Sequence, residues 1–406
     1  MDIDTWRLPT RAAFRFFALY FFLYVLMTQM LSGLLPFLNA DIIGHALDPL
    51  IAWTGDHVFH VAAKPVLSGS GDKLYDWVQA FCLLMIALAG TVAWSILDRR
   101  RERYERLYRW FRVFLRFALG STMIGYGFSK AFPLQMPAPQ LTRLLEPYGN
   151  FSPMGVLWYS IGASFPYERF VGIVEVVGGA LVFIPRTQLA GALVLLGATF
   201  EVFMLNMTYD VPVKLFAFHL VVMSIVLIAP YAHSICATVF APRARSRWAA
   251  VAQGVVGLYL LGATGYQIAQ GIGVYGYRAP KPPLYGIWTI DRMTIDGVER
   301  APLVTDNDRW RRVIVQNAVS MQFWRMDDTY TAVTAGTNTN THTIALTRGQ
   351  TPVGTFTYRQ PSPDQLILDG TLDSHALHME TRRFDHTQMM LLTRGFHWVQ
   401  EYPFNR

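Results

Sequence analysis

Apolar residues run in long blocks through the first two thirds of the chain and then give way to strict alternation. Seven blocks, near 13–36, 77–97, 111–132, 167–185, 188–207, 214–231 and 249–272, have the length of helices that cross a hydrocarbon core, which takes about 20 residues. The stretch SPMGVLWYSIGASF (152–165) is shorter and carries Pro153, so it reads as an interfacial or re-entrant segment rather than a span. From Tyr285 onward, YGIWTIDRMTIDG, RVIVQNAVSMQFWRM, YTAVTAG, HTIALTR, VGTFTYRQ, DQLILDGTL, ALHMETRRF and MMLLTRGFHWVQ each read as strand. Asp296-Gly297, Arg348-Gly349 and Asp369-Gly370 mark turns between them. Roughly eight to ten strands in so short a segment predict a small antiparallel barrel or sandwich. The predicted fold is therefore an α-helical membrane protein followed by an all-β domain. Its parts are 1–110 (two spans, an outer loop and an arginine-rich inner loop), 111–275 (a helical core and a last span) and 276–406 (the β domain). RAPKPP (278–283) is a stiff, extended linker between the last two.

Composition agrees with lipid as the main solvent. Of 406 residues, 52% are apolar and only 16% charged. Arginines concentrate in alternate connections: Arg7 and Arg11 at the start, Arg99 to Arg112 between the second and third blocks, Arg186, and then Arg243, Arg245 and Arg247. The other connections carry acids, among them Asp41, Asp48, Asp56, Asp72 and Asp76. By the positive-inside rule, seven spans put every arginine-rich connection in the cytoplasm and the β domain outside, in the periplasm of a Gram-negative cell. The expected location is thus the bacterial inner membrane. The net charge of +7 belongs to anionic headgroups at the inner face and calls for no nucleic acid. The first block is too long for a signal-peptide core and reads as a retained span. Cys82 and Cys236 fall near opposite ends of their spans, which argues against a disulfide or a thiol relay.

Chemistry-bearing residues are few. Glu175, Glu201 and His219 lie on three successive spans, each about 9–12 Å below the outer end at 1.5 Å per residue. Ionisable groups at that depth are expensive toward lipid, so they are expected to face inward and find partners. Lys130, at the outer end of the third span, either snorkels or points down into the same layer. In NMTYDVPVKLFAFHL, the pocket rim is expected from Asn206, Tyr209, Asp210 and Lys214. Asp210 is placed to cap the sixth span, Pro212 to sit in its first turn and Lys214 to pair with Asp210 at i,i+4. His57 and His60 have metal-compatible spacing without a third ligand nearby, and His375 and His378 share a strand on opposite faces, so no metal is assigned. No nucleotide-binding loop, nucleophile elbow or zinc-protease motif is present.

Three stretches carry a family likeness. RFALGSTMIGYGFSKAFP, ERFVGIVEVVGGALVFIPRTQLAGALVLLG and MLNMTYDVPVKLFAFHL together resemble the four-helix core of DoxX-type (DoxX/DoxD-like) membrane proteins over about residues 112–232. The recurring elements are Lys130 and Glu175-Val-Val-Gly-Gly. LYGIW, with Trp288 two residues after Gly286, resembles the opening of a lipocalin-type barrel. The DoxX likeness implies a quinone- or redox-associated membrane subunit, with quinone as the implied ligand and a periplasm-facing polar pocket. Two other classes stay open: a protein that binds or transports a small hydrophobic solute or lipid, and a non-catalytic assembly factor whose β domain docks a periplasmic protein. Whether the chain is an enzyme is open.

Overall fold

The computed structural model describes residues 6–35, 41–136, 138–139, 141–144, 146–239, 247–274 and 280–405. Arg243, Arg245, the first two linker residues (278–279) and the end of the first block at 36 lie outside them, as do the side chains of Asp41 and Arg247. The chain divides into two compact units: Met1–Ala241 with Met390–Arg406, and Pro242–Met389.

The first unit is helical. It runs α1 (Leu8–Met27), α2 (Met30–Leu34), α3 (Asp41–Gly44), α4 (Asp48–Thr54), a π-turn (Gly55–Phe59), α5 (Leu74–Leu97), α6 (Glu105–Ala131), α7 (Leu141–Leu144) and α8 (Pro153–Gly162). It continues with α9 (Phe165–Phe183), α10 (Gln188–Thr208), α11 (Lys214–Ile228) and α12 (Ala232–Val239). Helix α8, ten residues capped by the Ser152 hydroxyl on the Gly155 N–H, is too short to span, as its composition predicts. Among the described residues, four helical segments are long and apolar enough to cross a membrane: Leu8–Met27, Leu74–Leu97, Gln188–Thr208 and Lys214–Thr238. Helices α6 and α9 have 27 and 19 residues, but α6 carries Arg109, Arg112, Arg116 and Lys130, and α9 carries Glu168, Arg169 and Glu175. The expected count of about seven is therefore not confirmed among the described residues.

Glycine decides how α6 and α9 meet. A Cβ on Gly127 would lie 2.7 Å from the Gly172 carbonyl oxygen, and one on Gly172 would lie 2.4 Å from the Ala131 nitrogen. Only backbone hydrogen fits at that crossing, as small-residue interfaces between membrane helices require. About two turns on, Gly179 meets α6 at the Gly120 carbonyl while Gly178 meets α10 at Leu195. The Gly-Gly pair therefore lets one helix pack closely on two neighbours. The core of this unit gathers Phe21, Val25, Leu83, Leu115, Leu119, Met123, Leu195, Phe216 and Met223.

At one end of the bundle, arginines tie helix ends together. Arg15 donates to Ser95, to the Asp98 carbonyl and to Tyr104, whose hydroxyl donates to Asp98. Arg112 bridges Gln188 and Tyr231, and Arg116 donates to the Val182 and Phe183 carbonyls at the end of α9. The last arrangement satisfies orphan carbonyls and sets a cation against the negative end of the helix dipole.

Among its described residues the second unit holds α13 (Arg247–Val274) and nine strands: β1 (Gly286–Ile295), β2 (Val298–Glu299), β3 (Trp310–Asn317), β4 (Ser320–Arg325), β5 (Tyr330–Asn338), β6 (Thr343–Arg348), β7 (Thr351–Ser362), β8 (Gln365–Leu372) and β9 (His375–Phe384). Neighbours pair antiparallel, and β1 also pairs with β9. The sheet closes into an eight-stranded barrel, with β2 a short hairpin arm on β1. Closure removes the exposed edges that a sandwich would keep. In β1, Trp288 and Ile290 point inward, and so do Met293 and Ile295. The change of parity is absorbed by a register shift between Ile290 and Arg292, a bulge. The interior is filled by Trp288, Phe323, Phe356, Met321, Met379, Leu368 and their neighbours. Trp288 is buried, its indole N–H bonded to the Leu284 carbonyl and the Arg383 guanidinium 5.9 Å from its ring.

Two sequence expectations fail in this region. Asp369-Gly370 lies inside β8, paired to β7 and β9, and the turn falls at Asp373-Ser374, both with positive φ. Gly370 marks a close strand approach, since a Cβ there would sit 2.0 Å from the Thr355 oxygen. MMLLTRGFHWVQ is not a strand. It forms α14 (Met390–Thr393) and an irregular tail belonging to the helical unit, because its polar side chains are claimed there.

Candidate functional site

The two elements named by the recurring motif meet. Lys130 on α6 donates to both carboxylate oxygens of Glu175 on α9, each at 2.8 Å. The side chains are 6% and 1% exposed. The open question about Lys130 is answered: it points into the bundle, and the Tyr126 ring lies beside its ammonium. The glycine crossing brings the two helices close enough for this geometry. A charged pair so placed is worth little in net stability, but losing either partner leaves the other charge unpaired in low dielectric.

Beside the pair lies a cavity of about 500 Å³, open side included. Lys130, Glu175, Gln135, Thr199 and Asn206 supply its polar wall; Met123, Trp158, Val202, Phe216 and Leu220 supply much of the rest. A second lobe, about 540 Å³ with its open side included, shares Lys130, Gln135, Trp158, Val202 and Asn206 and is walled further by Glu168 and Glu201. Few polar groups converging in a mostly apolar hollow is the usual anatomy of a small-molecule site.

The common layer expected from Glu175, Glu201 and His219 is divided among three places. Glu201 is exposed on the rim of the second lobe. His219 faces α1 instead: Nε2 is 2.7 Å from the Tyr20 hydroxyl, Nδ1 is 2.7 Å from the Leu215 carbonyl, and the ring stacks on Tyr24 at 3.9 Å. Nδ1 must donate to the carbonyl, so a neutral ring accepts from Tyr20 at Nε2. His219 lines neither lobe. Equal depth in the sequence says nothing about azimuth, and the azimuths differ.

The expected rim is likewise rearranged. Asn206 lines both lobes and donates to the Val213 carbonyl, while Tyr209 packs with Met154, Leu157 and Val211. Asp210 does not cap α11. Asp72, from the connection before α5, accepts the Lys214 and Leu215 N–H groups at 2.9 Å each and so caps that helix from outside its own segment. Pro212 precedes the helix, its carbonyl accepting from the Gly71 N–H. Lys214 lies 3.3 Å from Asp210, as the i,i+4 spacing predicts, and also 3.5 Å from Asp72. Burial pushes the Asp72 carboxyl above the usual range, opposed by the bonds from Leu215 and Lys214.

Asp210 holds the C-terminal tail. Its carboxylate accepts from Arg394 at 2.9 Å, from the His397 backbone at 2.9 Å and Nδ1 at 3.0 Å, and from the Gln400 amide at 2.9 Å. Around it, Gln400 accepts from Ser70 and donates to the Asp72 carbonyl, Glu401 accepts from the Leu74 N–H, and the Trp77 indole donates to the Trp398 carbonyl. Asp72, Arg394, His397, Gln400, Glu168 and the pair Tyr20 and Tyr24 were not singled out from sequence.

Elsewhere, His57 and His60 are exposed and bonded to the Trp53 and Asp56 carbonyls in their own turn. In the barrel, His375 pairs with Asp296 and His378 with Asp369. Cys82 is buried against Thr54, and Cys236 is exposed and free.

Over 73 residues the chain is 30% identical to "Uncharacterized protein YwoB" of Bacillus subtilis (strain 168). The matched stretch is 18% of this chain and 47% of that protein, so the chain spans about half the length of this relative. No family model matches the chain, and no solved structure matches it.

Proposed function

We propose that this is a DoxX-like, redox-associated membrane protein whose helical unit binds a quinone-like molecule beside Lys130 and Glu175. The observation that carries the reading is the buried ion pair lining an apolar cavity. A quinone carbonyl is an acceptor, and Lys130 Nζ and the Asn206 amide are donors on that wall; Glu175 is the base within reach of a proton exchanged there. Met123, Trp158 and Phe216 suit a flat apolar ring. His219 is not part of this chemistry.

The accompanying topology is seven spans, with the N-terminus in the cytoplasm and the barrel in the periplasm. Two features support it. The arginine ties join the start of α1, the ends of α5 and α9 and the starts of α6 and α10 at one end of the bundle. The tail, Asp72 and Asp210 meet where the acidic connections gather. Mass spectrometry of small molecules extracted from protein purified in native lipid tests the reading. A stoichiometric quinone supports it. A stoichiometric non-redox lipid or solute would replace it with binding or transport, and a stable periplasmic protein with no small molecule would favour an assembly factor.

A further inference from the structure

The second lobe contains a group that the first lobe does not explain. Glu168, in the first turn of α9, is fully buried. One of its oxygens accepts the Met136 N–H at 3.0 Å; the other, Oε2, has no hydrogen-bond partner among the described residues. Glu168 is nevertheless part of the wall of the 540 Å³ lobe, with Glu201 in the same wall. Lys130 is the lone lysine or arginine among the described residues of that wall, and both its near contacts are to Glu175. The lobe therefore sets two carboxylates against one lysine, whose charge reaches Glu168 but whose hydrogen bonds go to Glu175. A buried carboxylate oxygen left unbonded is costly. Trp158 and Tyr167 add two aromatic rings, and Leu157, Ile161 and Leu205 an apolar floor.

We infer that this lobe is a binding site for an organic ammonium group carried on an apolar body, with Glu168 Oε2 and Glu201 as its counter-charges. A primary ammonium brings the N–H donor that Oε2 lacks. Trp158 and Tyr167 supply faces for cation–π contact, and the apolar floor takes the alkyl chain. A bare metal ion would meet mostly carbon on these walls, which favours the organic cation. The lobe shares Lys130, Trp158 and Asn206 with the quinone cavity, but the inference rests on Glu168 and Glu201, which line the second lobe and not the first.

The test is thermal unfolding of the full chain in lipid nanodiscs, titrated with n-hexylamine hydrochloride, 1-hexanol, sodium hexanoate or calcium chloride. The expected result is saturable stabilisation by hexylammonium alone. Its half-saturating concentration should rise at least about tenfold in Glu168→Gln, whose amide oxygen still accepts the Met136 N–H, and several-fold in the exposed Glu201→Gln. Equal stabilisation by hexanol would reduce the lobe to an apolar hollow, and stabilisation by calcium in place of hexylammonium would make it a metal site. No response to hexylammonium, or an unchanged half-saturating concentration in both variants, would overturn the inference.

Discussion

Lys130 sits 2.8 Å from both oxygens of Glu175, with each side chain almost wholly out of solvent. Removing one partner of such a pair strands the other, at a cost of about 3–5 kcal/mol, whereas removing both at once costs far less. Lys130→Met is therefore expected to lower the unfolding free energy in mixed micelles by that amount, and Lys130→Met with Glu175→Gln to recover most of it. Both residues were legible as charges in apolar blocks and as recurring elements of one family likeness, but their pairing was not, since Lys130 could equally have snorkelled. His219 and Glu201 look equivalent by depth, yet one bonds Tyr20 and the other lies open on a rim. Which way a side chain faces depends on the neighbour helix, and that is long-range information. The barrel offers a second residue-scale consequence. Asp369 holds the His378 imidazole above the usual histidine range, Asp296 does the same for His375, and His375 in turn holds Asp296 low. The histidine contributions are complete below about pH 6.5 and are lost as the pH rises through the raised folded values; that of Asp296 is present above about pH 3.9 and is lost as the pH falls through its lowered value. The fragment 283–389 should accordingly melt at a higher temperature near pH 5.5 than near pH 8, and His378→Gln should narrow the difference. A fragment without a cooperative melt, or one that is more stable at the higher pH, would count against this.

Strands were the most legible elements and the tail the least. Alternation located β1 and β3 to β9, because each half-buried strand must sort its side chains by face. The same alternation in MMLLTRGFHWVQ misleads, since the partners of Arg394, His397 and Gln400 lie at Asp210, Ser70 and Asp72, far away in sequence. Those bonds make Asp210 the hub of the tail. Asp210→Ala should leave Lys214 and Arg394 short of a counter-charge and free the tail. It is expected to cost about 3–5 kcal/mol by the same reasoning as for a broken buried pair. The measurement is carboxypeptidase trimming of the intact protein, with the wild-type tail resistant and the variant tail cut back past Trp398. Equal trimming of both would show that Asp210 does not hold the tail.

At the scale of the whole molecule, the unit that holds the eight-stranded barrel, Pro242–Met389, interrupts a helical unit made of Met1–Ala241 and Met390–Arg406, whereas composition alone changes near residue 275. The number of crossings is harder to read, because α6 and α9 bury Arg116, Lys130, Glu168 and Glu175, which lower the hydropathy of these helices without being exposed. A reporter active only in the periplasm, fused after Arg406, is expected to work, and one inserted between Arg100 and Arg101 to be silent; the reverse pattern would invert the proposed topology. The central claim is that the cavity beside Lys130 and Glu175 takes a quinone-like ligand. The most direct test is to titrate the full chain in nanodiscs with decylubiquinone and follow thermal unfolding, in the wild type and in Lys130→Met/Glu175→Gln. The account predicts saturable stabilisation of the wild type and at least a tenfold loss of affinity in the double variant. No stabilisation of the wild type, or the same affinity in both, would contradict it.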